Sequence, residues 1–139
     1  MDKWLTRWQE LKGKHPKALL YTISALLPMT IMLVVWFFMG SYPFGNKSLM
    51  AVDFGQQYIS FFGLLKHAVL TGDLSSLTYS FTKSLGGDMI GVLGYYLMSP
   101  FNIFYIIIPF KHYGLAVFLT IWLRYGAIGL SFSHFLIKR

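Results

Sequence analysis

The sequence predicts an all-α membrane protein with two transmembrane helices, joined by a long external loop that contains amphipathic and re-entrant or interfacial helices. The chain of 139 residues is 55% hydrophobic and only 12% charged, about half the charged fraction that soluble domains carry. Residues 18–46 contain no acidic or basic side chain, and roughly 20 apolar residues suffice to cross a hydrocarbon core. The basic residues concentrate towards the two ends of the chain, as expected of segments that flank membrane spans.

The first apolar segment predicts a transmembrane helix at residues 18–40, preceded by a basic cytoplasmic head at residues 1–17. Pro28 inside the segment lacks a backbone donor and is expected to kink the helix. The segment is longer than the apolar region of a signal peptide, about 7–15 residues, and no A-x-A-like site follows it. We therefore expect an uncleaved anchor, with a helical head that has Trp4 and Trp8 on one face.

The basic residues also predict orientation, because Lys and Arg near the ends of spans favour the cytoplasmic side. Five basic residues precede the first span, and Lys138 and Arg139 end the chain. We expect a multi-pass protein with both termini in the cytoplasm and residues 41–111 outside. The expected partner is the lipid bilayer. Nucleic acid is not expected, because the cations do not form one patch.

Residues 54–71 of the predicted loop have the pattern of an amphipathic helix that lies on a bilayer surface or on a neighbouring helix. Polar or small residues recur there at helical spacing, namely Gln56, Ser60, Gly63 and His67. The later stretch "LTYSFT" alternates like a strand but also fits a helix. Periodicity leaves both interpretations open for so short a run.

Residues 89–110 form another charge-free run that is long enough to span a membrane by itself. Pro100 disfavours helical geometry at Ser99, which divides the run into halves of about 15 Å, half a bilayer. We predict two re-entrant or interfacial helices here, with a third transmembrane helix as the alternative. A third span would move the basic C-terminus to the outer side.

The second transmembrane helix is predicted at residues 112–137, where Lys138 stops an apolar segment. Arg124 lies near its middle, too deep to reach the membrane surface easily. An isolated Arg at this depth is costly, so we expect it to face protein, water or an anionic group such as a lipid phosphate.

Asp53 is the candidate reactive group, and its position permits two interpretations. It precedes a predicted helix and has Gln56 three residues later, a capping-box-like pattern. A carboxylate at the membrane surface could also accept a proton in catalysis. In "GGDMIGVLG", Gly86 and Gly87 are expected to make a turn and Asp88 to cap the next helix, because the order of a nucleotide-binding loop is missing.

Metal and thiol chemistry have little support in this sequence. The chain has no cysteine, which excludes disulfides and thiolate zinc sites, and its four histidines show no ligand spacing. We predict no cofactor, since two or three scattered acids in the loop do not establish a site for a divalent cation.

The order of several short motifs resembles the start of the YfhO family of bacterial membrane proteins. The motifs follow the first apolar segment and are D-x-x-x-Q-Y (Asp53, Gln57, Tyr58), "GGD" at 86–88, "YY" at 95–96 and "SPF" at 99–101. The likeness runs through nearly the whole chain, and it depends on the order and spacing of the motifs.

The resemblance implies a protein of the bacterial cell membrane similar to GT-C glycosyltransferases, which transfer sugars from polyprenyl-phosphate donors to envelope polymers such as teichoic acids. It implies that Asp53 is catalytic, with Gln57, Tyr58 and Asp88 supporting it. The alternative is a non-enzymatic transporter or assembly subunit, in which Asp53 only caps a helix and Arg124 only packs. Family proteins are longer, so we expect an N-terminal fragment that is inactive alone.

Overall fold

The computed structural model of the protein describes residues 16–81 and 85–138. The predicted cytoplasmic head at residues 1–17 lies almost entirely outside the described residues. The predicted helical face with Trp4 and Trp8 also lies outside them.

The described elements are two long helices with a series of short ones between them. In chain order they are α1 (Pro16–Met39), a π-helical turn π1 (Phe54–Tyr58), α2 (Ile59–Thr71), a 3₁₀ turn (Leu74–Leu77), β1 (Tyr79–Ser80), β2 (Gly87–Asp88), α3 (Ile90–Val92), a π-helical turn π2 (Leu93–Leu97), a 3₁₀ turn (Pro100–Asn102), α4 (Ile103–Ile107), a 3₁₀ turn (Phe110–His112) and α5 (Tyr113–Lys138). Helices dominate the described residues, so the predicted all-α class is confirmed.

The chain divides into two compact units, Met1–Phe38 with Ile121–Arg139 and Met39–Thr120. Among the described residues, two helices are long and apolar enough to cross a membrane, Lys17–Met39 and Phe110–Lys138. The bounds of these two helices agree with those of the predicted spans to within a few residues. Their surfaces expose large apolar side chains such as Phe38, 81% exposed, and Phe132, 63% exposed. Lipid tails are as apolar as such side chains, so this surface fits a bilayer.

The packing of α5 against α1 in the first unit depends on a glycine. Pro28 lies inside α1 and has no N–H, so the carbonyl of Ser24, four residues earlier, loses its helical partner. Gly129 lies against this carbonyl, and a Cβ on Gly129 would overlap its oxygen. Small residues let transmembrane helices approach this closely, which also brings Cα–H groups within reach of carbonyl oxygens.

Contacts on either side of Gly129 show that α1 and α5 are antiparallel. The indole Nε1 of Trp122 donates a hydrogen bond to the carbonyl of Met29 at 3.2 Å. Towards the other ends of the two helices, the hydroxyl of Tyr21 lies 3.0 Å from Nδ1 of His134. The helices therefore stay in contact over several turns.

In the second unit, π1 and α2 confirm the predicted amphipathic helix. Its buried side chains are Phe62, Leu65 and Ala68, and its exposed polar side chains include Gln56, Ser60 and His67. The ring of Phe62 stacks on the ring of Tyr105 in α4, with centroids 3.9 Å apart and planes within 1° of parallel. The apolar face of α2 thus packs against α4.

In the stretch "LTYSFT" the periodicity fits both a strand and a helix. The structure divides this region between a 3₁₀ turn, Leu74–Leu77, and the short strand β1. This strand pairs antiparallel with β2, with Tyr79 opposite Asp88. Gly86 has a φ of +104°, in the region that glycine adopts without steric cost. Gly86 therefore has the predicted turn geometry, whereas Gly87 already belongs to β2.

The run at 89–110 is broken as predicted. Ile90–Leu97 and Pro100–Ile107 are bent by 88° relative to each other, the geometry of a broken span or a re-entrant pair and not of a straight third span. A continuous helix would bond the Tyr96 carbonyl to the N–H of residue 100, which proline lacks. Instead, Nδ2 of Asn102 donates to this carbonyl at 2.7 Å.

We predict that Gly129→Ala weakens the packing of α1 against α5, because the added methyl group overlaps the Ser24 carbonyl. Overpacking of this kind costs about 1–3 kcal/mol. The measurement is unfolding of the detergent-purified chain by SDS titration, followed by circular dichroism. Gly91→Ala is the matched control, because a Cβ there meets nothing within 4 Å. Equal resistance of the two variants to SDS would contradict the close contact.

Candidate functional site

The backbone is irregular on both sides of Asp53. Val52 has a φ of +51°, a left-handed conformation that is strained for a β-branched side chain. Strain of this kind costs about 1–3 kcal/mol and clusters at functional sites. Directly after Asp53 comes the π-helical turn π1, and such turns are also frequent at functional sites.

Two of the motifs that carry the family resemblance, Gln57–Tyr58 and Tyr95–Tyr96, lie on π-helical turns. π1 has the sequence FGQQY and ends with Tyr58, and π2 has the sequence LGYYL and contains Tyr96. In π2 the Met98 N–H donates to the Leu93 carbonyl, five residues earlier, at 3.0 Å. Both motif tyrosines are thus presented by the same unusual backbone geometry.

The fold of the second unit brings these two turns into contact through their aromatic rings. The ring centroids of Tyr58 and Tyr96 are 4.5 Å apart. The ring of Phe61 stacks on Tyr96 at 5.8 Å, and Tyr95 meets Tyr96 edge-on at 4.5 Å. We call Asp53, Tyr58, Phe61, Tyr95 and Tyr96 the Asp53 cluster.

The electrostatics of the cluster act on Tyr96, whose pKa lies above the ordinary value of 10.0. The largest cause is its side-chain hydrogen bond with Tyr58. Desolvation and the negative charge of Asp53 raise the pKa further. The phenol of Tyr96 is therefore a neutral hydroxyl near neutral pH, and the carboxylate of Asp53 is close enough for its charge to reach it.

The carboxylate of Asp53 is exposed and makes no hydrogen bond to the turn that follows it. The predicted capping box with Gln56 is therefore wrong. A capping residue usually has an extended backbone, whereas Asp53 is already helical, with φ −57° and ψ −31°. Within residues 16–81 and 85–138, no hydrogen bond occupies this carboxylate, so it is open to a ligand.

The other predicted loop residues have different surroundings. Gln57 is exposed on the same π-helical turn as Tyr58. Asp88 accepts a hydrogen bond from the Ile90 N–H through Oδ1 at 2.9 Å, so it bonds the first residue of α3, although the N-cap position of this helix is Met89. From Ile90 to Tyr96 the helical path is about 9 Å at 1.5 Å per residue, so Asp88 bonds the start of the segment that carries Tyr96.

Arg124 belongs to the first unit, whereas the Asp53 cluster belongs to the second. Its side chain is half-buried in α5 and is engaged in an interaction. Its predicted role towards a lipid phosphate or a packing partner stays a prediction.

The cluster has the chemistry to bind a hydroxylated molecule. A carboxylate can accept the proton of a bound hydroxyl, neutral tyrosine hydroxyls can donate and accept hydrogen bonds, and ring faces offer flat apolar surface. In the described part of the chain, no group of three or more His, Cys, Asp and Glu residues could hold a metal ion.

Sequence reasoning alone does not identify Phe61 or Tyr96 as part of the site. Phe61 lies three residues after Tyr58, so it shares a helix face with that residue, which is a usable signal. Tyr96 lies in the "YY" motif, but nothing in its spacing indicates contact with Tyr58. That contact requires the packing of two separate helical segments.

Comparison with known proteins gives a family match. The family described as "Bacterial membrane protein YfhO" matches residues 24–139. This range covers most of the chain and includes every residue of the Asp53 cluster, so the resemblance noted from the motifs is confirmed. No curated protein and no solved structure matches the chain.

We predict that Tyr58→Phe lowers the pKa of Tyr96 towards 10.0, because it removes the hydroxyl that is the main cause of the raised pKa. Carbon NMR of ring-labelled tyrosine, with the Tyr96 signal assigned through Tyr96→Phe, measures this titration. Tyr79→Phe is the control, because it removes a hydroxyl from a tyrosine outside the cluster. An unchanged Tyr96 titration in Tyr58→Phe would contradict the hydrogen bond.

Proposed function

We propose that the chain, which belongs to the YfhO family of bacterial membrane proteins, contributes the catalytic carboxylate of a membrane glycosyltransferase. The donor is a sugar carried on polyprenyl phosphate, and the acceptor is a cell-envelope polymer such as teichoic acid. The observation that carries the proposal is the exposed, uncapped Asp53 carboxylate in the cluster with the Tyr58–Tyr96 pair.

In the proposed step, a hydroxyl oxygen of the acceptor attacks the anomeric carbon of the sugar. A new carbon–oxygen bond forms as the bond to the carrier phosphate breaks, and polyprenyl phosphate leaves with the electron pair. Asp53 accepts the hydroxyl proton, a role that accelerates reactions by about 10²–10⁴-fold. A carboxylate held in a helix cap would be less able to take this proton, so the absence of the cap supports the assignment.

The neighbours of Asp53 suit the binding of a sugar or polyol. The aromatic rings of Tyr58 and Tyr96 can cover the apolar face of a sugar ring, and the hydroxyl of Tyr96, which donates its own proton to Tyr58, can accept a hydrogen bond from the sugar. Gln57, exposed on the same turn as Tyr58, offers both amide donors and an acceptor. These residues position the acceptor in the proposal, while Asp53 alone changes its protonation state.

The proposal requires Asp53 to face the outer side of the membrane, where envelope polymers are located. The basic residues before the first span and at the end of the second favour cytoplasmic termini. We infer that both termini are cytoplasmic and that residues 41–111 are outside.

We predict that single cysteines in Ser48→Cys and Ser75→Cys react with a membrane-impermeant maleimide on intact cells. Both serines are exposed, they lie on either side of Asp53 in sequence, and the chain has no cysteine of its own to react. Lys138→Cys is the control and should react only after the membrane is permeabilised. The reverse labelling pattern would overturn the proposed orientation.

We predict that Asp53→Asn, introduced into the chromosomal gene, preserves membrane insertion but removes most glycosylation of the envelope polymer. The amide keeps the size of the side chain but cannot accept the proton, so a loss of about 10²–10⁴-fold in transfer rate is expected. Glycan analysis of the purified polymer, with immunoblotting for the protein, measures both quantities.

The matched control is Asp73→Asn, because Asp73 is another exposed acid of the second unit and lies outside the Asp53 cluster. It should leave glycosylation near normal. Normal glycosylation in Asp53→Asn would rule out the catalytic role. If deletion of the gene also leaves the polymer unchanged, a non-enzymatic transporter or assembly subunit becomes the better proposal.

A further inference from the structure

Tyr21 of α1 and His134 of α5 meet near one end of the first unit. The Tyr21 hydroxyl lies 3.0 Å from Nδ1 of His134, and the ring centroids are 6.0 Å apart. Beside this contact is an open cleft of about 530 Å³, lined by Tyr21, Leu130, Ser131 and His134. We call it the Tyr21–His134 cleft. Its volume is in the range of ligand sites, and it shares no residue with the Asp53 cluster.

Helix periodicity places two lysines one turn beyond the contact of Tyr21 with His134. Lys17 precedes Tyr21 by four residues, and Lys138 follows His134 by four residues. Residues four apart lie on the same face of a helix, with Cβ atoms about 5–6 Å apart. Because Tyr21 and His134 touch, both lysines lie one turn beyond the contact at the same end of the helix pair.

The charges at this end are all positive in the described part of the unit. Lys17 and Lys138 are exposed, and residues 16–38 and 121–138 contain no acidic side chain. The occupant that complements this charge is an anion. Further hydrogen-bonding groups lie one turn inside, namely the Tyr21 hydroxyl and the remaining ring nitrogen of His134.

The position of the lysines indicates that the anion belongs to a lipid. Lys17 begins one candidate span and Lys138 ends the other, so their ammonium groups lie at the level of the lipid headgroups. Anionic lipids attract Lys and Arg at this level, and Leu130 adds an apolar wall on the membrane side. We propose that the Tyr21–His134 cleft binds one anionic phospholipid, with Lys17 and Lys138 holding its phosphate.

The test uses the full chain purified in detergent and titrated with phosphatidylglycerol or phosphatidylcholine. Native mass spectrometry counts the bound lipids. We expect one phosphatidylglycerol to bind about tenfold more tightly than phosphatidylcholine, because only the former carries net negative charge. Lys17→Gln/Lys138→Gln should lose this preference. Tyr21→Phe keeps every charge and should weaken phosphatidylglycerol binding by roughly threefold, the loss expected for one hydrogen bond.

The matched control is Lys47→Gln/Lys111→Gln, which removes the same charge from two exposed lysines of the second unit. It should keep the preference for phosphatidylglycerol, and circular dichroism should show the same helix content in all variants. Equal losses in the two double variants would overturn the site in favour of general charge attraction. Displacement of phosphatidylglycerol by millimolar inorganic phosphate would overturn the lipid assignment in favour of a free anion.

Discussion

Carbonyl groups that proline leaves without a helical partner need other partners in this protein, because neither hydrocarbon nor a packed interior supplies water. Three prolines lie inside or directly after helical segments and release the carbonyls of Ser24, Tyr96 and Tyr105. Gly129 lies against the first of these carbonyls. Asn102 donates to the second at 2.7 Å, and the hydroxyl of Tyr113 donates to the third at 3.1 Å. Each of these three contacts determines how one segment of the chain packs against another.

The geometry of the candidate site follows from this constraint. Asn102, only 1% exposed, holds the carbonyl of Tyr96 and so fixes the end of π2 at the 88° bend. The stack of Phe62 on Tyr105 holds α2 against the segment on the other side of the bend. Tyr58, just before α2, then meets Tyr96, and the Asp53 carboxylate, which is not used in a cap, acts on Tyr96 through its charge.

Much of the fold could be predicted from local properties of the sequence. Apolar length indicates both spans, and helical spacing of polar residues indicates the amphipathic segment at 54–71. The missing N–H of Pro100 predicts the break between two short helices, and the glycine at 86 predicts a turn. The candidate residues Asp53, Gln57 and Tyr58 were identified from motif order, which also indicated the family. Each of these inferences depends on neighbours in sequence or on the chemistry of one residue.

The sequence by itself therefore determined the membrane class, the spans, the break and the family. Only the tertiary structure decided that Asp53 does not cap its helix, because capping depends on backbone angles that the strained Val52 and the π-helical turn set together. Only the tertiary structure decided that the ring of Tyr96 contacts the ring of Tyr58. Ring contacts between distant segments follow from packing and leave no periodic signal in the sequence. The Tyr21–His134 contact is of the same kind, because two helices far apart in sequence must pack antiparallel before it can form.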